Sequence, residues 1–444
     1  MALQKRLFFH TLAAWFAAAS LSAETKVLRG FTLIDGTGKP PLAGAALVIA
    51  DGRIRWVGAE SQLKVPAGAE VIELRGKFVM PGIINLHGHL GNTVGLAQDP
   101  KNFTRANVER QLRTYASYGV TSVVSLGTDQ DLIYQIRAEQ RAGRPALTRI
   151  FTAGRGFTNR NGYPTSVPGM KGVPYEVGSV AEVEKAIAEL ADRKVDVIKI
   201  WMDDHLGREP KIPMELCRAI IENAHKHRIK VAAHIFYLED ARRLVEMGLD
   251  GLAHSVRDQP VDAALISAMK QRGAWLAAPT LARELSTFIY ADEHPSLRDP
   301  FFTRSVSEDV LRELRSPERR KRIASDPDFP KYPGFLKQAQ DNLKRLADAG
   351  VRFGFGSDSG PPARFQGYFE HVEMELMAEA GLKSADVLRA ATAYAAEFLG
   401  VSRDLGTLEV GKWADLIVLS RNPLDDIRNT RTIEMVFIAG HRVH

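Results

Sequence analysis

The chain has 444 residues, enough for a large barrel-type unit of about 250 residues or more plus a smaller second one. Its apolar and charged fractions are those of an ordinary globular protein, and its formal charge of +6 is mild for the length, with no basic tract interleaved with aromatics, so nucleic-acid binding is excluded as a working function. The single cysteine, Cys217, excludes an intrachain disulfide; with no activating partner in its neighbourhood it reads as a packed helix residue rather than a nucleophile.

The first 23 residues read as an export signal. Lys5 and Arg6 form a positive start, Leu7 to Ala19 is a short apolar run, and Ser20 to Ala23 supplies small residues for cleavage. The run is shorter than the roughly 20 apolar residues a membrane span needs. No cysteine stands near the cleavage site to carry a lipid. The expected location is therefore periplasmic or secreted, with no membrane anchor.

From Lys26 to about Lys77 short alternating runs predict strands at Val27–Gly30, Ala46–Ile49, Ile54–Val57 and Val71–Leu74, with Asp51-Gly52 as a hairpin turn. The C-terminus repeats the texture at Leu416–Leu419 and Val436–Gly440. The simplest arrangement is one small β-sandwich built from residues 24–80 and 405–444.

Between them, over residues 81–404, strands alternate with helical patterns, the signature of a parallel sheet. Eight strands are predicted, at Ile83–Leu86, Ser122–Ser125, Arg149–Phe151, Val197–Ile200, Val231–Ala233, Gly251–Ala253, Trp275–Ala277 and Arg352–Phe355. Gly119 and Gly350 end helices just ahead of two of them. Eight such units predict an α/β fold of the (β/α)8, TIM-like barrel type. The long proline-rich connection from about Arg283 to Phe335 reads either as a lid or as a solvated surface helix with loops.

In such a barrel chemistry gathers at the C-terminal ends of the strands. His87 and His89 follow the first strand, two residues apart and so on one side. Lys199 lies inside the fourth strand, where a charged amine is costly. It is either paired with a carboxylate such as Asp203, snorkelling to the rim, or a desolvated amine that reacts with carbon dioxide. His234, His254 and Asp358 end the fifth, sixth and eighth strands. Each alone is unremarkable, but together they place four His, one Lys and one Asp at one end of the same sheet.

Pro81-Gly82-Ile83-Ile84-Asn85-Leu86-His87-Gly88-His89 and the tail Gly411-Lys412-Trp413-Ala414-Asp415-Leu416-Ile417-Val418-Leu419 resemble the opening and closing motifs of the amidohydrolase superfamily, as do Asp250–Ser255 and Gly356-Ser357-Asp358 at the sixth and eighth strand ends. Lys199 and Pro279-Thr280 resemble its imidazolonepropionase-like branch, which includes binuclear Xaa-Pro dipeptidases. The resemblance implies two divalent cations, zinc foremost among several metals that such ligands accept. His87, His89 and Asp358 would hold one, His234 and His254 the other, and carbon dioxide fixed on Lys199 as N6-carboxylysine would bridge them. It further implies a bridging hydroxide that attacks an amide carbonyl, with Asp358 as general base and then acid. Tyr237 reads as an oxyanion donor or a packed aromatic, and Arg257 as a carboxylate-binding or surface residue; Tyr163 and Arg160 are weaker pocket candidates. His205 lies on the loop after the fourth strand, and His225, His227, His371, His441 and His444 read as structural or exposed. The expected substrate is a small amide, a dipeptide or N-acyl amino acid; a homo-oligomer is compatible with this. The competing readings are a mononuclear cyclic-amide hydrolase or deaminase, and a non-catalytic metal-binding periplasmic protein.

Overall fold

The computed structural model describes residues 25–444, so the predicted export signal lies outside the described residues. Both ends of the described chain enter one eight-stranded sheet. Its N-terminal strands are β1 (Lys26–Leu33), β2 (Leu42–Ala50), β3 (Arg53–Ala59), β4 (Glu70–Glu73) and β5 (Phe78–Pro81). The β2–β3 hairpin turns on Asp51 and Gly52, whose φ of 54° and 75° are the left-handed pair that a tight hairpin requires.

A second group of strands follows in chain order: β6 (Ile83–Gly88), the short hairpin β7 (Thr93–Val94) and β8 (Ala97–Gln98), β9 (Val120–Ser125), β10 (Arg149–Thr152), β11 (Phe157–Asn159), β12 (Tyr175–Val177), β13 (Ile198–Met202), β14 (Val231–Ile235), β15 (Gly251–Leu252) and β16 (Trp275–Leu276). The chain then returns to the terminal sheet as β17 (Leu416–Leu419), β18 (Ile433–Ile438) and β19 (His441–Arg442). In that sheet β17 pairs antiparallel with β5, which joins the two ends of the chain. Its apolar core gathers Leu28, Phe31, Leu47, Val79, Leu416 and Phe437.

The central strands are parallel and separated by helices, so the fold is α/β. They form a three-stranded sheet, β10-β9-β6, and a six-stranded one, β12-β11-β13-β14-β15-β16. The predicted eighth strand is not regular. Arg352–Ser359 makes only isolated bridges, Phe353 to Leu276 on one side and Ser359 to Gly88 on the other. Glycines at 354, 356 and 360 and a left-handed Asp358 (φ 56°) interrupt its extended run. Strands β9, β13 and β14 extend past their predicted ends, while β18 stops at Ile438, two residues short of the predicted Gly440.

Period-two alternation decides which residues face the site. Val197 and Ala232 pack into one apolar cluster while Ile198, Ile200, Val231 and Ala233 pack into another, outside it. Lys199 and His234 share the parity of the first pair and therefore point with it. The connection 283–335 is largely helical and anchored by buried Leu297, Phe302, Leu311 and Leu314, and Asp328 pairs with Arg208 on the loop after β13, while its helix Pro317–Ala324 buries no residue. Among the described residues no helix is long and apolar enough to cross a membrane.

Arg149 of β10 clamps the terminal sheet to the central strands. Its Nε and Nη2 donate to Asp415 at 2.7 and 3.0 Å, and Asp415 also accepts the Ala439 N–H at 2.7 Å. Asp415→Ala is expected to destabilise the protein by about 2–4 kcal/mol, since it leaves a largely buried guanidinium unpaired. A shift in denaturant midpoint equivalent to less than about 0.5 kcal/mol would contradict this.

Candidate active site

His87, His89 and Asp358 converge, each offering a ligand atom within 4.8 Å of the others. The Nδ1 of His87 faces the carbonyl oxygen of Ala253 at 2.9 Å. A carbonyl can only accept, so the ring proton sits on Nδ1 and Nε2 presents a lone pair. His254 is fixed in the same sense. Its Nδ1 lies 2.7 Å from Thr280 Oγ1, whose own hydrogen goes to the Pro279 carbonyl at 2.8 Å. The hydroxyl must therefore accept, and His254 Nε2 is left buried without a partner. His89 Nδ1 pairs with Thr128 Oγ1 at 2.9 Å. Burial pushes all three imidazoles below their ordinary pKa, so they are neutral, the form that binds metal.

Asp358 Oδ1 lies 2.9 Å from His89 Nε2 and 3.6 Å from His87 Nε2 but forms no aligned hydrogen bond with either. Its Oδ2 accepts from Arg364, with Arg283 Nε 4.0 Å away. Burial raises the carboxyl pKa, but the neighbouring positive charge, Arg364 foremost, outweighs it and holds the group well below the usual carboxylate range. Two imidazole nitrogens and a carboxylate oxygen, buried except for a partly exposed His89, are a donor set suited to a divalent cation.

Lys199 is fully buried, with Nζ 3.5 Å from His87 Nε2 and 5.7 Å from the Trp201 ring centre. Burial drives its pKa down to about 7 against the pull of Asp358, so much of the amine is neutral at neutral pH. Gly127 (φ 99°) and Gly156 make room for it; a Cβ at either would lie 2.8–3.0 Å from Lys199 Cγ. Asp203 is not its partner, contrary to one sequence expectation. The Asp203 carboxylate instead holds His234 Nε2 at 2.6 Å. Being one loop position beyond β13 it reaches across to β14, whereas Lys199 points inward.

His234 meets His254 edge to face with ring centres 4.1 Å apart and lies tilted beside Tyr163 at 5.2 Å. Tyr163, Trp201, His234, Arg364 and the three converging ligands line a cavity of about 50 Å³. Tyr237 does not line it: its hydroxyl donates to Asp204 at 2.8 Å, with Lys211 over the ring. Arg257 is not a surface residue. It is buried, 3.1 Å from Glu284 through Nε, stacked on Phe236, and donates to the Ile235 and Ser255 carbonyls. Arg160 is exposed and pairs with Glu182; His205 is half exposed beside Glu209, and His371 is buried between Thr430 and the Tyr118 carbonyl. Cys217 is buried on the helix Met214–Lys226, its thiol pushed up to about 12 by burial.

Arg283 and Arg364, which bracket Asp358, and the Thr128 hydroxyl are not foreseen from the sequence, where their only signal is a place shortly after a strand end; Thr280 is singled out there with Pro279, but not its role in orienting His254.

The amidohydrolase family model matches residues 78–443. The chain is 27% identical to the ochratoxinase of Aspergillus niger over 93% of this chain and 84% of that one. It is 24% identical to the imidazolonepropionase of Symbiobacterium thermophilum over 85% and 84%. Among solved structures, a prolidase complexed with N-methylphosphonate-L-proline superposes with a TM-score of 0.73 at 26% identity, covering 94% of this chain and 99% of that one. The match begins within β5, ahead of His87, and runs past Asp358 into the terminal sheet, so the whole site falls inside it, and the chain belongs to the amidohydrolase family, hydrolases that act on carbon–nitrogen bonds.

Proposed function

We propose that this protein is an exported, binuclear metal-dependent hydrolase that cleaves the amide bond of dipeptides or N-acyl amino acids bearing a free carboxylate. Its active site would sit on a (β/α)8 barrel of residues 81–404, beside a terminal β-sandwich of residues 24–80 and 405–444, with residues 1–23 as the export signal. One observation carries the reading: the unprotonated Nε2 of His87, facing the Lys199 amine at 3.5 Å, the partnerless Nε2 of His254, the open oxygen of Asp358 and the desolvated Lys199 all sit at one end of the parallel strands.

His87, His89 and Asp358 would hold one cation, His234 and His254 the other, and Lys199, carboxylated by carbon dioxide, would join them. Two such cations, zinc or a related metal, lower the pKa of water and polarise a carbonyl. The remaining work falls to the chain. Arg364 stabilises the carboxylate of Asp358, which makes its conjugate acid a ready donor to the leaving amine. Tyr163, at the cavity wall, is suited to exclude water from the substrate side. Arg283 lies 4.0 Å from Asp358 and is only partly neutralised by Glu284, which also serves Arg257. It is the group best suited to a substrate carboxylate. Tyr237 would reach an oxyanion only after leaving Asp204.

A one-cation reading is favoured by a single feature, the bond between His234 Nε2 and Asp203. Holding a second cation through that nitrogen requires this bond to be exchanged. Metal analysis separates the two readings. Combined with a screen of Xaa-Pro, Xaa-Arg and N-acyl amino acids, it is expected to give two metals per chain and turnover of free acids over their amides. Arg283→Met is expected to raise KM for the acids about tenfold or more, and to leave KM for the amides unchanged. One metal per chain with full activity, or equal turnover of acids and amides, would defeat the reading.

A further inference from the structure

Two carboxylates stand behind the site and belong to neither proposed ligand set. Glu370 and Glu373 lie three residues apart on the helix Tyr368–Glu379, hence on one face, and both are fully buried. Each carboxylate grips a different loop.

Glu370 Oε1 accepts from Asn85 Nδ2, Ser357 Oγ and Ser359 Oγ at 2.6, 2.7 and 2.6 Å, and Oε2 accepts the Gly367 N–H at 2.7 Å. Asn85 in turn accepts the His87 N–H at 2.8 Å, and the two serines flank Asp358. Ser359 gives its hydrogen to Glu370, so Tyr115 must donate to Ser359, at 2.7 Å, which closes the network. Glu373 Oε2 accepts the Ala282 N–H at 2.6 Å, beside Thr280, whose hydroxyl orients His254.

Both gripped loops carry a non-glycine residue in the left-handed region, Thr280 at φ 57° and Asp358 at φ 56°. For a β-branched threonine this is a strained conformation, and such strain persists only where surrounding bonds over-determine it. Burying two carboxylates one turn apart is also costly without donors aimed at them. The Glu370 bonds lead to His87 and Asp358, and the Glu373 bond, made by Oε2 while Oε1 is left buried without a partner, leads to the loop of Thr280 and so to His254.

We propose that Glu370 and Glu373 are positioning residues that divide the site between them: Glu370 fixes the half holding His87 and Asp358, and Glu373, through Thr280, fixes the half holding His254. This rests on the two-cation reading above.

The test is a Co²⁺ titration of metal-free full-length protein, followed by visible absorption and by equilibrium dialysis. It compares wild type with Glu370→Gln, Glu373→Gln, Thr280→Val and Thr280→Ser. Wild type is expected to take up two equivalents with separable spectra. Glu373→Gln and Thr280→Val should weaken the same equivalent about tenfold or more, Thr280→Ser should restore it, and Glu370→Gln should weaken the other. Thr280→Val leaves both glutamates untouched, so the assignment stays testable if a glutamate variant fails to fold. Two equivalents of wild-type affinity and spectrum in every variant would overturn the assignment. So would parallel loss of both equivalents with a falling Tm, the mark of a general structural role. Uptake of fewer than two equivalents by wild type would instead overturn the two-cation reading, and the division of labour with it.

Discussion

Asp358→Asn is expected to lower kcat/KM by about 10²–10⁴-fold, the range for losing a positioned acid–base group. The substitution keeps the side-chain shape but removes the charge around which four groups are arranged. Arg364 donates to Oδ2, Arg283 stands 4.0 Å away, and His87 and His89 face Oδ1. An amide can neither accept a proton from water at neutral pH nor return one to a leaving amine, and it is a weaker ligand for a hard cation. The variant should therefore lose one metal equivalent as well as turnover. It should also be less stable, because the partly buried Arg364 is left beside a neutral partner. Measuring kcat/KM, metal content and Tm on one preparation separates these effects. Residual activity within tenfold of wild type, with metal content unchanged, would remove Asp358 from the mechanism.

Lys199→Ala carries the second large effect, an expected loss of about 10³-fold in kcat together with loss of the paired metal site. The reason is the amine's surroundings rather than its presence. Nζ is fully buried, 3.5 Å from His87 Nε2, with no carboxylate in ion-pair range among the described residues. Burial lowers its pKa to about 7, Asp358 opposing. Since carbon dioxide reacts with the neutral amine, reactivation of metal-free enzyme by metal, with dissolved carbon dioxide held constant across the pH series, follows the neutral fraction of Lys199. Between pH 6 and pH 8 the neutral fraction of a group with pKa about 7 rises about tenfold and levels off, whereas for an ordinary lysine it rises about a hundredfold without levelling. A reactivation rate that follows the first curve supports a desolvated Lys199. Bicarbonate-independent recovery, or full activity in Lys199→Ala, would exclude a carbamate. Short carboxylates such as propionate should partly restore the alanine variant, because they supply the anionic group the carbamate would have carried.

These effects differ in how far the sequence foresees them. The short apolar runs of β6, β9, β13 and β14 are a local property, so those strands and the residues ending them are legible without any structure. His87, His89, Lys199, His234, His254 and Asp358 can be picked from position alone, because a polar residue at the end of an apolar strand is itself a signal. The Asp51-Gly52 hairpin and the glycine-terminated helices are legible for the same reason: φ above zero is written in the residue type. The eighth strand is where this fails, since the glycines from 354 to 360 break the local pattern and only bridges to Leu276 and Gly88 give the segment its place.

Partnership is not a local property, and only the tertiary structure decides it. Asp203 is four residues from Lys199 in sequence, yet it bonds His234, 31 positions away. Arg257 carries the look of a surface residue but lies buried against Glu284 because β15 and the helix after β16 bring them side by side. Tyr237, three residues after a metal-ligand candidate, turns to Asp204, while Tyr163, from a distant loop, lines the cavity. Glu370 reaches Asn85 across 285 positions. The sequence by itself determines which candidate residues this protein carries at its strand ends, and strand periodicity fixes the direction of His87, Lys199 and His234. Which groups neutralise, orient and brace those ligands is decided by contacts between segments far apart in the chain, where no local spacing can encode a partner.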